Sequence, residues 1–87
     1  MMFRSYRKRQ AIESYRTVLG RHLRGIYGRH EHFTPVEVIQ TARAYQLSET
    51  YLCYALALYC DREVFDAYHA ERGQVACSYA RLRREVA

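Results

Sequence analysis

The chain has 87 residues, of which 49% are hydrophobic and 26% are charged, and it contains a single proline. This length predicts one domain, and the hydrophobic share excludes a disordered chain. The net charge of +5 is unevenly placed. Residues 1–30 hold eight basic side chains and one acid, a net of +7, while residues 31–87 hold six basic and eight acidic groups, a net of −2. This asymmetry indicates either an anionic partner or packing against the acidic remainder.

The cysteines and the longest apolar run indicate the compartment. Three cysteines cannot all pair within one chain, and no apolar signal region precedes the first basic residues, so we expect reduced thiols in a cytoplasmic protein. The longest apolar run, residues 51–60, has ten residues, whereas a membrane helix needs about 20. The sequence therefore predicts no membrane span.

The first 27 residues are expected to contain one helix. Residues 1–9 are predicted to form a flexible basic arm, and residues 10–87 a single helical domain. Apolar residues recur at steps of three and four over residues 10–27, which predicts an amphipathic helix. Gly20 and Gly25 each cost a helix about 1 kcal/mol relative to alanine, so either is a place where it could break.

The second predicted helix has the clearest start. An N-cap threonine, a proline at the first helical position, a capping-box glutamate and the two apolar positions of a hydrophobic staple coincide. These residues are Thr34, Pro35, Glu37, Phe33 and Val38. They predict a helix from Pro35 to about Gln46, preceded by a loop that begins at Gly28. The side chains expected in the core are Val38, Ile39, Ala42 and Tyr45.

Three further helices are expected, over about residues 49–60, 62–69 and 75–86. The first of them is apolar on every side, so its neighbours should surround it. Asp61 should cap the next one. The inward side chains of the last two are expected to be Val64, Phe65, Tyr68, Val75, Tyr79, Leu82 and Val86. The sequence thus predicts an all-α single small domain of about five helices packed around a central apolar helix.

Residues 41–52 resemble the helix-turn-helix of bacterial transcription regulators, in which an alanine packs beneath a Leu-Ser turn and a later leucine. Here the turn is Leu47–Ser48 and the leucine is Leu52. A recognition helix needs polar side chains that reach base edges, yet only Glu49 and Thr50 are polar after the turn. We therefore interpret this stretch as a tight helical corner.

The basic segment is the main candidate binding surface. The side chains expected to meet an anionic partner are Arg4, Arg7, Lys8, Arg9, Arg21, Arg24 and Arg29. They could contact another protein or a second copy of the chain, which is the preferred reading. Nucleic-acid phosphates are the alternative and an anionic membrane surface a third. Pairing with Glu63, Asp66 or Glu71 would instead neutralise the charge within the fold.

The cysteines and histidines suggest two further candidate sites, one for a metal ion and one for catalysis. Cys53, Cys60, Cys77 and His69 could be gathered as a Cys3His zinc site, but close ligand pairs are missing and two of the cysteines lie on the apolar helix. Asp66 stands three residues before His69, a spacing that could orient an imidazole, yet no nucleophile motif accompanies it. We expect a surface or helix-capping histidine, no metal, no cofactor, no catalytic residue and no enzyme.

Three segments carry a resemblance to known sequences: FTP at 33–35, YLCYALALYC at 51–60 and FDAYH at 65–69. Together they resemble short uncharacterised bacterial proteins of no assigned activity, over roughly residues 33–85. The resemblance implies no substrate, cofactor or catalytic residue. It favours a bacterial cytoplasmic setting for an interaction module.

Overall fold

The computed structural model describes residues 2–73 and 77–86, with side chains from Tyr6 onward. The described residues form helices and no strand, so the prediction of a small all-α domain is confirmed. The helical segments are α1 (Met2–Ser14), a π-helical segment (Tyr15–Leu19), α2 (Gly20–Tyr27), α3 (Pro35–Ala44), α4 (Leu52–Tyr59), α5 (Arg62–Glu71) and α6 (Tyr79–Val86). Because the first three segments run on without a break, the fold has the five predicted helices.

The long N-terminal helix begins at Met2, so the predicted start at Gln10 was wrong. Residues 2–9 are the first turns of this helix and not a separate arm. Arginine, lysine and glutamine are good helix formers even where no apolar face is present. Twenty-six residues span about 39 Å, which matches the 38 Å long dimension of the molecule. The helix ends at Gly28, whose φ of 93° favours glycine.

Neither Gly20 nor Gly25 breaks this helix; a π-helical turn precedes Gly20 instead. The Tyr59 hydroxyl donates a hydrogen bond to the Tyr15 carbonyl in this turn, at 2.5 Å. A Cβ at Gly20 would lie 2.5 Å from the same hydroxyl oxygen. The glycine therefore lets α4 approach the long helix closely, and the tyrosine satisfies a carbonyl in the turn.

Helix α3 starts as predicted. The Glu37 amide donates to Thr34 Oγ1 at 3.1 Å and the Thr34 amide donates to Glu37 Oε1 at 2.9 Å, which completes the capping box. Phe33 and Val38 are both buried. The helix ends at Ala44, earlier than the predicted Gln46.

Tyr45 was predicted to lie in the core, and this was wrong because its side chain is 44% exposed. Its ring stacks on His22 of α2, with centroids 3.5 Å apart and an angle of 9° between the planes. The stack lies where α2 and α3 meet at the surface. Ile39 is half-buried, while Val38 and Ala42 are fully buried as expected.

Helix α4 is central, as predicted, because it packs against α3, α5, α6 and the π-helical segment. Ala55, Leu56 and Ala57 are buried in these contacts. The helix begins at Leu52 and not at Glu49, since Ser48 Oγ accepts a hydrogen bond from the Thr50 amide and so closes a turn before the helix.

Helix α5 is capped by Asp61, whose carboxylate accepts a hydrogen bond from the Glu63 amide at 3.1 Å. Phe65 is fully buried, but Val64 is 41% exposed, so the prediction that Val64 points inward was wrong. The helix runs to Glu71, two residues beyond the predicted end.

The last helix begins at Tyr79, since Cys77 and Ser78 are not helical. Ser78 Oγ accepts a hydrogen bond from the Arg81 amide and caps the helix. Val75, expected on the inner face of this helix, lies outside the described residues. Leu82 and Val86 are buried as predicted.

Candidate functional site

Three side chains with metal-ligating atoms converge between α4, α5 and the segment before α6. They are Cys53, His69 and Cys77, and their Sγ, Nε2 and Sγ atoms all lie within 4.8 Å of one another. The two sulfur atoms are 3.3 Å apart, and His69 Nε2 is also 3.3 Å from Cys53 Sγ. We call these three residues the Cys-His cluster.

The fold brings the cluster together through the packing of α4. Cys53 lies in the first turn of α4, which packs against both α5 and α6. His69 lies in the last turn of α5, and Gly73, with a φ of 68°, follows the end of that helix. The chain is back beside the core at Cys77, two residues before α6 begins. The cluster therefore joins three parts of the chain that are not consecutive.

His69 is only 2% exposed, so the prediction of a surface or helix-capping histidine was wrong. Its Nδ1 lies 2.9 Å from the Phe65 carbonyl oxygen, which can only accept a hydrogen bond, so Nδ1 carries the proton. In the neutral tautomer that this bond selects, the Nε2 lone pair faces Cys53. The Phe65 ring lies against the imidazole, with centroids 4.1 Å apart.

The Asp66–His69 pair considered from the sequence does not form. Asp66 is exposed and lies 3.9 Å from Arg62 in an ion pair along α5. The imidazole nitrogens are occupied by the Phe65 carbonyl and by Cys53. No carboxylate therefore orients this histidine for acid–base chemistry.

The Cys53 thiol of the cluster is protonated at neutral pH. Burial raises the pKa of Cys53, and the hydrogen bond with Cys77 raises it further. Because Nε2 of His69 accepts, the Cys53 thiol donates to His69 and the Cys77 thiol donates to Cys53. Cys60 is buried elsewhere, where burial raises its pKa to about 12. Only two of the three cysteines thus join the histidine, in place of the Cys3His set considered from the sequence.

A second candidate surface lies along the exposed side of the long helix and the loop directly after it. Its members are Arg16, Arg21, Arg24 and Arg29, which we call the basic face. All four side chains are exposed, and none forms an ion pair with an acid among the described residues. Two acids that could have neutralised them, Asp66 and Glu71, pair instead with Arg62 and Arg72.

The other predicted binding residues fall in different surroundings. Arg7 and Arg9 are exposed on α1. The Lys8 ammonium lies 2.6 Å from Glu85 of α6, so its charge is paired with an acid of the same chain. The side chain of Arg4 lies outside the described residues. Arg21 and Arg24 thus lie with Arg16 on the long helix, Arg29 follows the end of that helix, and Lys8 is paired with α6.

Apolar and aromatic side chains are also exposed on α2. Ile26 is 53% exposed, and the stacked rings of His22 and Tyr45 form a flat surface one turn away from it.

The corner at residues 41–52 does not form a DNA-reading helix. Arg43 and Glu49 form an ion pair of 2.7 Å across it. Helix α4, which would have to enter the major groove, has Ala55, Leu56 and Ala57 buried. In the part of the chain that the structure describes, no helix has the length and apolarity needed to cross a membrane.

A family model matches residues 3–87. The protein belongs to DUF6559, a family of unknown function. This agrees with the resemblance to uncharacterised proteins that the sequence indicated. No curated protein and no solved structure matches the chain.

For this DUF6559 protein the sequence suggested a Cys3His set of Cys53, His69 and Cys77 together with Cys60, but no metal site was expected there. The spacings from Cys53 to His69 and from His69 to Cys77 are 16 and eight residues, so no close ligand pair marks the site. One feature of the sequence could have indicated that His69 faces inward. His69 follows Phe65 by four residues, which places both on the same face of α5.

Proposed function

We propose that this protein is a small non-enzymatic interaction module of the bacterial cytoplasm that binds an acidic protein through the basic face. The observation that carries the proposal is that four exposed arginines form no ion pair with an acid among the described residues. Guanidinium groups pair with carboxylates in a bidentate geometry, and unpaired positive charge accelerates the approach of an acidic surface.

Exposed apolar and aromatic side chains on α2 favour a protein over a phosphate backbone. Ile26 is 53% exposed, and the His22–Tyr45 stack offers a flat aromatic surface beside it. Protein interfaces combine a partly apolar centre with arginine and aromatic side chains. Phosphate contacts need only the charge.

The thiols support a cytoplasmic location. All three cysteines are free, and an odd number of cysteines together with two neighbouring thiols suits a reducing cytoplasm. The bacterial setting rests on the resemblance of segments 33–35, 51–60 and 65–69 described above.

Nucleic-acid binding is the second candidate, and the charge of residues 1–30 favours it. That segment carries a net +7, and Arg7 and Arg9 extend the exposed positive charge along α1. Binding through phosphates would weaken steeply and linearly on a log–log plot as salt rises.

The test compares two triple variants that each remove three positive charges. The first variant removes three of the four arginines of the basic face and is Arg21→Ala/Arg24→Ala/Arg29→Ala. The second variant removes the same charge from the region of α5 and α6 and is Arg62→Ala/Arg72→Ala/Arg84→Ala. The probes are a labelled peptide rich in glutamate and tyrosine, a single-stranded oligonucleotide and vesicles of anionic lipid. We expect the first variant to lose about tenfold in peptide affinity, since three interface charges at about 0.5 kcal/mol each give that factor. The control variant should bind the peptide nearly as the natural sequence does.

A single substitution separates the two candidates. Ile26→Ser should weaken the peptide complex and leave oligonucleotide binding unchanged. Equal losses in both triple variants would show that only net charge matters and would contradict the basic face as a site. Tighter binding of the oligonucleotide or of the vesicles than of the peptide, with no effect of Ile26→Ser, would replace the acidic protein with that partner.

A further inference from the structure

We infer that Cys53, His69 and Cys77 bind one zinc ion, with two thiolates and one imidazole as ligands and the fourth position left for water or an external ligand. This inference is independent of the proposed function, because the Cys-His cluster and the basic face are built from different helices. Its basis is the convergence of the three ligand atoms within 4.8 Å.

Two of the three separations between the ligand atoms approach those of a zinc site, and the third is within 4.8 Å. With Zn–S bonds of about 2.3 Å and a Zn–N bond of about 2.0 Å, tetrahedral geometry places the sulfurs about 3.8 Å apart and each sulfur about 3.5 Å from the nitrogen. The two 3.3 Å separations in the structure are a few tenths of an ångström shorter. Cys77 lies outside any helix, so its backbone has the freedom to make this adjustment.

The surroundings of His69 are those of a metal ligand. Metal-binding histidines donate their second ring N–H to a carbonyl or carboxylate, which fixes the tautomer and the ring orientation. His69 Nδ1 donates to the Phe65 carbonyl at 2.9 Å, and the Phe65 and Tyr68 rings lie against the imidazole. The hydrogen bond at Nδ1 thus leaves Nε2 as the ligand atom, 3.3 Å from Cys53 Sγ.

The donor set selects the kind of metal. Two thiolates and an imidazole are soft and borderline ligands, which favour zinc and disfavour magnesium and calcium. Binding would release the thiol protons that the apo cluster holds. Each ligand comes from a different part of the chain, so the ion would tie α4, α5 and the start of α6 together. Domains of this size often need such a link, because their cores are small.

A disulfide is the competing chemistry of the two thiols. The sulfurs at 3.3 Å are well beyond the bond length of about 2.05 Å, and bond formation would need an oxidant. A disulfide would also take away the thiol proton that satisfies His69 Nε2. Only metal binding uses all three side chains.

The experiment uses the reduced, metal-free full chain without oxygen. Cobalt and zinc are titrated separately against a competing chelator, and the zinc complex is weighed by native mass spectrometry. We expect one ion per chain, a cobalt spectrum with tetrahedral d–d bands and sulfur-to-metal charge transfer, and a higher midpoint of thermal unfolding with zinc. Zinc should also protect Cys53 and Cys77 from alkylation.

The variants assign the ligands. Cys53→Ser, Cys77→Ser and His69→Gln should each weaken zinc binding by at least about 100-fold, beyond the range seen for residues that only orient ligands. The matched control is Cys60→Ala, which removes the third thiol and should keep both stoichiometry and affinity. If a ligand variant does not fold, the cobalt spectrum of the unmodified chain still decides, since it reports two thiolates directly.

Three outcomes would overturn the inference. The first is a cobalt spectrum without charge-transfer bands. The second is zinc affinity that His69→Gln leaves unchanged, which would reduce the cluster to a dithiol pair. The third is an equal loss of binding in Cys60→Ala, which would show that zinc binds the cysteines without using the folded site.

Discussion

Polar side chains are placed differently in two regions of the molecule. One region is the long N-terminal helix, and the other is the half formed by α4, α5 and α6. The long helix and the loop directly after it expose Arg16, Arg21, Arg24 and Arg29 to solvent, and none of them forms an ion pair among the described residues. The other half turns a buried histidine and two thiols toward each other. The first arrangement depends on local helix geometry, and the second depends on how helices pack.

This difference determines the kind of partner or ligand that each half can bind. Exposed charge on one helix can meet a large partner at little cost to the fold. A cluster drawn from three elements instead responds to small ligands and affects stability, because a ligand that binds only the folded state stabilises it. The predictions below test this comparison, beginning with the largest expected effect.

Neighbouring residues on α5 provide the sharpest test of the buried half. Phe65 is fully buried against His69 and Tyr79, whereas Val64 is 41% exposed. We expect Phe65→Ala to lower the free energy of unfolding by about 3–5 kcal/mol. Val64→Ala should change it by at most about 0.5 kcal/mol. Urea unfolding of both variants measures this, and similar losses would contradict the orientation of α5.

The same α5 residues show what the sequence could predict. Asp61 marks the helix start through local chemistry, as do Thr34 and Glu37 for α3, so these starts were found. Which residues face inward depends on the neighbours, so Val64 was placed inside and His69 outside. Cys77 joins the cluster only through the packing of α4 against α6, which no spacing in the sequence encodes.

A second prediction concerns alkaline pH. Burial, and to a smaller extent the charges of Asp61 and Glu37, raises the pKa of Cys60 from its ordinary 9.0 to about 12. The folded chain keeps this proton when the unfolded chain has lost it. Below about pH 9 the titration of this thiol therefore does not change the free energy of unfolding. As the pH rises from 9 toward 12, the free energy of unfolding falls by up to about 1.4 kcal/mol per pH unit.

The measurement is urea unfolding at several pH values from 8 to 11 for the natural sequence and for Cys60→Ala. The variant starts less stable because it leaves a cavity, but its stability should fall less steeply above pH 9. Burial also raises the pKa values of Tyr15 and Tyr59, and that contribution is common to both proteins. Parallel curves would show that Cys60 does not titrate as a buried thiol.

The third prediction contrasts two glycines of the long helix. Gly20→Ala places a Cβ 2.5 Å from the Tyr59 hydroxyl, which must move and weaken its bond to the Tyr15 carbonyl. We expect a loss of about 1–2 kcal/mol, typical of overpacking. Gly25 has open space around it, so Gly25→Ala should instead stabilise the helix by up to about 1 kcal/mol.

Thermal and urea unfolding give both values, and the Tyr59→Phe background serves as the control for Gly20. Without the phenolic oxygen, Gly20→Ala should cost less than in the natural sequence. An unchanged cost in that background would contradict the close approach of α4 to the π-helical segment.

The smallest expected effect concerns the ion pair that joins the two halves. Lys8 Nζ lies 2.6 Å from Glu85 Oε1, and the Tyr54 hydroxyl donates to Glu85 Oε2 at 3.1 Å. A double-mutant cycle of Lys8→Ala and Glu85→Ala should give a coupling energy of about 0.5 kcal/mol, as for exposed pairs. The Lys8 hydrogen bond lowers the pKa of Glu85, so the coupling should persist above its ordinary pKa of 4.5 and fade as the pH drops.

The matched control is Arg7→Ala, because Arg7 is exposed beside Lys8 and forms no ion pair among the described residues. It should leave stability unchanged. Substitutions of Lys8 and Arg24 also distinguish positive charge that stabilises the fold from positive charge that binds a partner. Lys8→Ala should lower stability without changing affinity for the acidic peptide, while Arg24→Ala should do the reverse. If Lys8→Ala weakened the peptide complex as much as Arg24→Ala, the binding surface would extend along α1 and the charge of Lys8 would serve the partner as well as the fold.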